Sequence, residues 1–220
     1  MQFRHEWKHI LHPADILELR QRLGYLLLPD PHAQIYTVRS LYFDSPEDKA
    51  LLEKLNGVAR REKFRIRCYN GDTAFLRLEK KSKLGNLCAK ESAVLTFAEA
   101  RSIAAGALDW MYQASDRPLL QELYGKMRVQ RLQPKTLVEY SREAYIYPSG
   151  NVRVTLDSGI RTGIYDRDLI HCLTVPAGDT PVILEVKWDN YLPDIVRDAV
   201  QLSSRQATAF SKYAACRIYD

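Results

Sequence analysis

The stretch Lys63-Phe64-Arg65-Ile66-Arg67-Cys68-Tyr69 alternates charged and apolar residues without a break. Successive side chains on a strand point to opposite faces, so Lys63, Arg65 and Arg67 share one face and Phe64, Ile66 and Cys68 the other. The same sorting extends along the chain. Arg77, Glu79, Lys81 and Lys83 fall together, and Arg153, Thr155 and Asp157 oppose Val152, Val154 and Leu156. Glu185 and Lys187 oppose Val182, Leu184, Val186 and Trp188. Near the N-terminus Arg4, Glu6 and Lys8 share a side, while Phe3, His5, Trp7 and His9 form an only partly apolar one.

Any one of these strands reads as part of an open sheet with a solvated polar face. Taken together, faces so rich in arginine and opposite charges are better satisfied by closure. A β-barrel with its charged face inward and its apolar face covered by helices meets both requirements. Cations crowded into such an interior repel one another unless carboxylates or a bound polyanion offset them. The expected class is therefore α+β: a mainly antiparallel β-barrel with a charged interior and helices packed outside.

The remaining elements follow from periodicity and punctuation. Strands are expected at Phe3 to Ile10, Gln34 to Phe43, Glu62 to Asn70, Thr73 to Ser82, Leu87 to Leu95, Lys135 to Tyr147, Val152 to Asp157 and Pro181 to Trp188. Asn70-Gly71-Asp72 and Pro148-Ser149-Gly150-Asn151 are hairpin turns. After His12-Pro13 a helix carries Ile16, Leu19 and Leu23 on one face. Ser45-Pro46-Glu47-Asp48 predicts a helix start with Ser45 as N-cap, ending near Asn56-Gly57. Thr96 and Glu99 form a capping box for a helix to about Gly106. Further helices are expected from about Arg117 to Arg131, around Asp194 to Leu202, and from Ser211 onward. No linker divides the chain, so residues 1–220 read as one domain.

Bulk properties narrow the setting. The chain has 220 residues, 46% hydrophobic and 27% charged, which suffices for a sizeable core. The N-terminus lacks the apolar run of a signal peptide, and no stretch is long enough to span a bilayer. Cys68, Cys88, Cys172 and Cys216 show no metal-binding spacing, and reduced thiols suit a cytoplasmic protein. The net charge of +5 points to an anionic partner. The runs Arg60-Arg61-Glu62-Lys63 and Lys80-Lys81-Ser82-Lys83 are explained by strand alternation, which argues against a nucleic-acid patch. His5, His9, His12, His32 and His171 have no carboxylate pair suited to a metal site, and Ser40, Ser203 and Ser204 lack the histidine–acid pattern of a serine nucleophile. Trp7, Trp110 and Trp188 read as packing residues.

Eight short elements occur in a recognisable order: Arg4-His5-Glu6-Trp7-Lys8, Val38-Arg39-Ser40-Leu41-Tyr42-Phe43-Asp44, Lys63-Phe64-Arg65-Ile66-Arg67, Leu78-Glu79-Lys80-Lys81, Tyr140-Ser141-Arg142, Arg153-Val154-Thr155-Leu156-Asp157, Leu184-Glu185-Val186-Lys187 and Ser211-Lys212-Tyr213. In this order they resemble the VTC domain, the polyphosphate polymerase domain of the triphosphate tunnel metalloenzyme (CYTH-like) superfamily. The resemblance spans essentially the whole chain. It implies a catalytic set of Lys8, Arg65, Arg67, Lys81, Arg142 and Lys212. It also implies phosphate contacts from Arg39, Lys83, Lys90, Arg153 and Lys187. Glu185 and Glu6 would hold Mn²⁺ or Mg²⁺, with Glu79 and Asp157 holding metal or orienting basic side chains. The partner would be ATP, triphosphate or polyphosphate, and the chemistry phosphoryl transfer. A polyphosphate polymerase, a triphosphate or polyphosphate hydrolase, and a non-catalytic polyphosphate- or nucleotide-binding protein all remain compatible, as does any oligomeric state.

Two departures qualify the match. Arg4 replaces the first glutamate of the superfamily's E-x-E-x-K signature, as expected for the VTC branch and not for a thiamine triphosphatase or adenylate cyclase. The eukaryotic family's inositol-phosphate-sensing domain and C-terminal membrane segment have no counterpart in these residues, so coupling to membrane translocation is not expected.

Overall fold

The structure is a computed structural model and describes residues 2–31, 35–163, 168–202 and 207–217. His32, Gln34, Ser203 and Ser204, which entered the sequence reading, lie outside these residues.

The strands are β1 (Phe3–Leu11), β2 (Leu28–Pro29), β3 (Ile35–Asp44), β4 (Arg60–Tyr69), β5 (Leu76–Leu84), β6 (Leu87–Leu95), β7 (Gln133–Tyr147), β8 (Val152–Gly163), β9 (Val175–Pro176) and β10 (Val182–Trp188). All pair antiparallel in a ten-stranded sheet, in the order β2-β7-β3-β4-β5-β6-β1-β10-β8-β9. A further pairing of β7 with β8 closes the sheet into a ring. The seam between β1 and β6 is the shortest of the ring, holding only Phe3–His5 against Leu87–Ala89.

Closure separates two environments. Outside the ring, Phe64, Ile66, Cys68, Leu76 and Leu78 pack under α3 (Phe97–Ala105), α4 (Asp109–Gln113) and α5 (Pro118–Val129). On the opposite flank Val154, Leu156, Leu184, Val186 and Trp188 pack under α1 (Pro13–Leu26) and α6 (Asp194–Val200). Leu19 and Leu23 supply the α1 face that the spacing predicts. Burying a side chain of this size contributes about 1.5–3 kcal/mol, so these two flanks supply the main drive for wrapping the helices outside the ring. Cys68, Cys88, Cys172 and Cys216 are all buried.

Part of the interior is apolar, which strand parity alone did not foretell. Val38, Val138, Ile160 and Ala144 face inward and pack around Tyr213 and Cys216 of α7 (Lys212–Cys216), which plugs one side of the ring. The plug is tied in by Tyr213, whose hydroxyl donates to Asp44 Oδ2 at 2.7 Å.

Asp44 also corrects an expectation. The helix after Ser45-Pro46 is α2 (Lys49–Leu55), and its N-cap residue is Asp48, in the left-handed region at φ 57°. The first-turn amides are satisfied from a distance: Asp44 accepts from the backbone N–H of Ser45, Ala50 and Leu51 at 2.8–3.0 Å. Ser45 contributes only a 3.3 Å contact to the Lys49 amide. Elsewhere the predicted signals hold. Thr96 and Glu99 form the capping box of α3, and Gly106 ends it at φ 79°. The Asn70–Gly71 turn has positive φ at both residues, although β5 begins at Leu76, three residues later than expected.

Asp44 is fully buried and serves four donors at once. Asp44→Ala should therefore destabilise the protein by about 3 kcal/mol or more, since each abandoned buried donor costs ~1–3 kcal/mol. Denaturant unfolding measures this, and a loss below about 1 kcal/mol would contradict the role assigned to Asp44.

Candidate functional site

A cavity of about 500 Å³ lies inside the ring, lined along β4 from Arg61 to Tyr69. At ~3.3 Å per residue that path is about 26 Å long. Its wall is built by the parity rule: Arg65 and Arg67 from β4, Glu79, Lys81 and Lys83 from β5, Lys90 from β6, Glu6 and Lys8 from β1, Glu185 and Lys187 from β10, and Arg153 from β8 all lie on inward faces. Apart from Glu79, which sits fully buried beneath the arginines, each of them lines the cavity, together with Arg142 of β7 and Lys212 of α7.

Three carboxylate nodes organise these charges. Glu79 Oε2 accepts from Arg65 Nε at 2.8 Å and lies 3.6 Å from Arg67 Nη1, while its Oε1 accepts from Lys90 Nζ at 3.2 Å. Arg65 is further fixed by the Tyr42 hydroxyl at 2.7 Å, and Arg67 by Ser40 Oγ at 3.0 Å. Burial opposes the charge on Glu79, but Arg67, Arg65 and Lys90 outweigh it and hold the carboxyl well below the usual range.

The second node is Asp157, gripped by Arg142 through paired bonds of 2.7 and 2.8 Å and by Lys212 Nζ at 2.6 Å. Burial again disfavours its charge, yet Arg142 and Lys212 bring the carboxyl down to about 2.

The third node joins two glutamates. Lys8 Nζ lies 3.3 Å from Glu6 and 3.4 Å from Glu185. Lys187 Nζ lies 2.5 Å from Glu185 and 3.7 Å from Glu6, and Lys81 donates to Glu6 at 2.7 Å. Despite burial, the surrounding lysines keep both carboxyls ionised, well below the usual range. Lys8 is in turn raised well above its ordinary value, because Glu185 and Glu6 overcome its burial.

The expected metal ligands therefore divide. Glu6 and Glu185 sit side by side. Glu79 and Asp157 are committed to arginines, and no group of three or more potential metal-binding side chains occurs among the described residues. Glu79 and Asp157 orient basic side chains, one of the two roles expected of them.

Arg39 does not line the cavity. It stands opposite Cys68 on the outer face of β3, where it bonds Glu139 at 2.7 Å and the carbonyl oxygens of Leu169 and Ile170. The register explains the misplacement. Ser40 and Tyr42 are the inward residues of this strand, opposite Arg67 and Arg65. Arg77, grouped by parity with Glu79, lies over the Phe75 ring at 4.5 Å outside the cavity lining. Arg4 pairs with Asp189 at 2.7 Å at the rim.

Four lining cations escaped the sequence reading as site residues: Arg4, Lys54, Arg61 and Lys63. Lys54 comes from α2, beyond the reach of strand parity. Lys63 was visible on the charged face and begins one of the eight family elements, but the resemblance assigned it no role. Its ammonium lies 4.8 Å from the Tyr213 ring centre, and burial, with repulsion from Lys81, Lys54 and Lys8, lowers it to about 8 against the pull of Tyr42. Tyr42, opposed by burial but drawn down by Arg65, Arg67 and Lys63, also titrates at about 8.

Comparisons with known proteins complete the description. The family described as VTC domain matches residues 3–218. No curated protein matches the chain. A solved structure from Hippeastrum, titled a putative adenylyl cyclase, HpAC1, with a dominant triphosphatase activity, is similar at TM-score 0.61 and 15% identity, over 99% of this chain and 95% of that one. The PH1012 protein from Pyrococcus horikoshii OT3 is similar at TM-score 0.52 and 13% identity, over 95% and 96%. These likenesses establish a shared fold, that of the triphosphate tunnel proteins. No helix among the described residues is long and apolar enough to cross a membrane.

Two outcomes follow from the geometry. Above pH ~8 both Lys63 and Tyr42 lose a proton, removing one positive charge and adding one negative, so tripolyphosphate affinity should fall several-fold between pH ~7 and ~9. Calorimetric titration across that range checks this, and a flat profile would contradict it. Arg39→Ala should lower stability while leaving tripolyphosphate affinity within about twofold, because its partners lie outside the ring. A tenfold loss of affinity would return Arg39 to the site.

Proposed function

The chain belongs to the VTC domain family, and on that premise we propose that it catalyses metal-dependent phosphoryl transfer on ATP and polyphosphate, as a polyphosphate polymerase. The observation that carries this reading is the run of cations along β4, Arg61, Lys63, Arg65 and Arg67, all lining one cavity. A compact anion needs a few convergent donors, whereas a row of them suits a chain of phosphates.

In phosphoryl transfer, positioning and charge neutralisation supply most of the rate, because charge spreads over the equatorial oxygens of the transferred group. Arg65, Arg67 and Arg142 would do this work. Their planes are already locked by Glu79, Ser40 and Asp157, so little side-chain entropy is lost on binding. Lys8, Lys81 and Lys212 add compact point charges. Long product is held by the same row of cations as it grows.

The donor set fits a divalent ion. Glu6 and Glu185 offer adjacent carboxylates, and Thr155 Oγ1, buried and without a hydrogen-bond partner, stands on the neighbouring strand opposite Glu185. Hard oxygen ligands of this number match Mg²⁺ or Mn²⁺, which complete their shells with phosphate oxygens and water. When bound, the ion would neutralise developing charge on the phosphates. The side chains Glu6 and Glu185 also have a reason to be there under this reading, since carboxylates in a site made only to bind anions weaken it.

A hydrolase would use the same residues with water in place of the acceptor. Incubation with ATP and Mn²⁺, resolving polyphosphate, ADP and free phosphate, separates the readings. Long chains with ADP are expected, and free phosphate alone would indicate hydrolysis. If neither forms while triphosphate still raises the melting temperature, the protein is a binder. Glu185→Ala should reduce turnover by at least about a hundredfold while triphosphate binding without metal survives. Full turnover in that variant would remove Glu185 from the metal site.

A further inference from the structure

The lining cations differ in one respect that the proposed chemistry does not use. Those already described share carboxylates, as Lys8 does with Glu6 and Glu185 and Arg142 with Asp157. Lys54, Arg61, Lys63 and Lys83 form no ion pair among the described residues. The carboxylate nearest in sequence, Glu62, also borders the cavity, but its oxygens are taken up by Lys80 and Lys126. Arg61 donates only to the Val58 carbonyl.

These four residues sit at one end of the cavity. Arg61 pairs in register with Lys83, and Lys63 with Lys81. Lys54 projects from α2, which packs beside β4. Burial, together with Arg61, Lys8 and Lys83, makes Lys54 easier to deprotonate, which is the cost of gathering like charges here without a counter-charge. At the opposite end the pattern is reversed, since Arg153 is paired with Asp30 and Arg4 with Asp189. The cavity is thus electrostatically polar along its length.

Arg61 lies four residues before Arg65, about 13 Å further along the strand. A triphosphate held at Lys63, Arg65, Arg67 and Lys81 leaves Lys54, Arg61 and Lys83 without a ligand, whereas a longer chain reaches them. We infer that Lys54, Arg61 and Lys83 form a docking site for the trailing phosphates of a long inorganic polyphosphate, and that this end makes the protein prefer long chains to triphosphate. The inference rests on the phosphate-chain reading above and adds chain-length selection and a direction to it.

Calorimetric titration of the full chain with tripolyphosphate and with polyphosphate of tens of phosphates tests it. In Lys54→Gln/Arg61→Gln the long-chain Kd should rise about tenfold, while the tripolyphosphate Kd stays within about twofold, because two unpaired charges are lost only where the long chain reaches. Lys54→Arg/Arg61→Lys, which keeps the charge, should retain long-chain affinity and guards against misfolding of the glutamine variant. An unchanged long-chain Kd, or equal losses for both ligands, overturns the docking site while leaving the phosphate-chain reading intact. If the unsubstituted protein binds neither ligand, both fall.

Discussion

The structure depends on charge compensation inside a closed sheet. Placing Arg65, Arg67, Arg142 and several lysines in one interior is untenable unless each finds a partner, since an uncompensated buried charge costs about 3–5 kcal/mol when its partner is removed. Glu79, Asp157, Glu6 and Glu185 supply those partners, and the outer apolar flanks supply the energy that closes the sheet around them. The same pairs fix the arginine planes before any ligand arrives. Fold and site are therefore one arrangement: the carboxylates that permit closure are those that aim the cations.

Compensation is deliberately incomplete in places. Among the described residues Lys63 has a ring beneath it but no carboxylate, and Thr155 Oγ1 has no hydrogen-bond partner. Under the proposed function such groups are the points of contact for what is bound, because their interactions are left unmet. The apolar plug of Tyr213, Cys216 and Val138 acts in the opposite sense, filling part of the interior with side chains that need no charged partner, while Tyr213 also borders the cavity.

Most of this wall was legible in the sequence because β8 and β10, and β4 and β5 over most of their length, alternate with a two-residue period between a charged and a mainly apolar face. Where that contrast fails, so does the reading. β3 is buried on both sides, inward against the plug and outward under residues 168–172, so its alternation gives no sign of which face holds Arg39. Only pairing with β4 decides, and it puts Ser40 opposite Arg67. Lys54 was missed because it belongs to a short helix, and its place in the site is set by how α2 packs on β4. The Asp44 cap was hidden for a similar reason: Ser45 has the local signature of an N-cap, but a buried carboxylate outcompetes it for the amides. The division of carboxylates between arginine partners and a lysine-bridged glutamate pair depends on distances that no spacing in the chain encodes.

The central claim is that the paired arginines of β4 are the grip on a phosphate chain. Calorimetric titration of tripolyphosphate into the protein and into Arg65→Ala/Arg67→Ala, at low salt, tests it most directly. The account predicts a stoichiometric complex for the unsubstituted protein and loss of measurable binding in a variant that still folds. Undiminished affinity in that variant would contradict it.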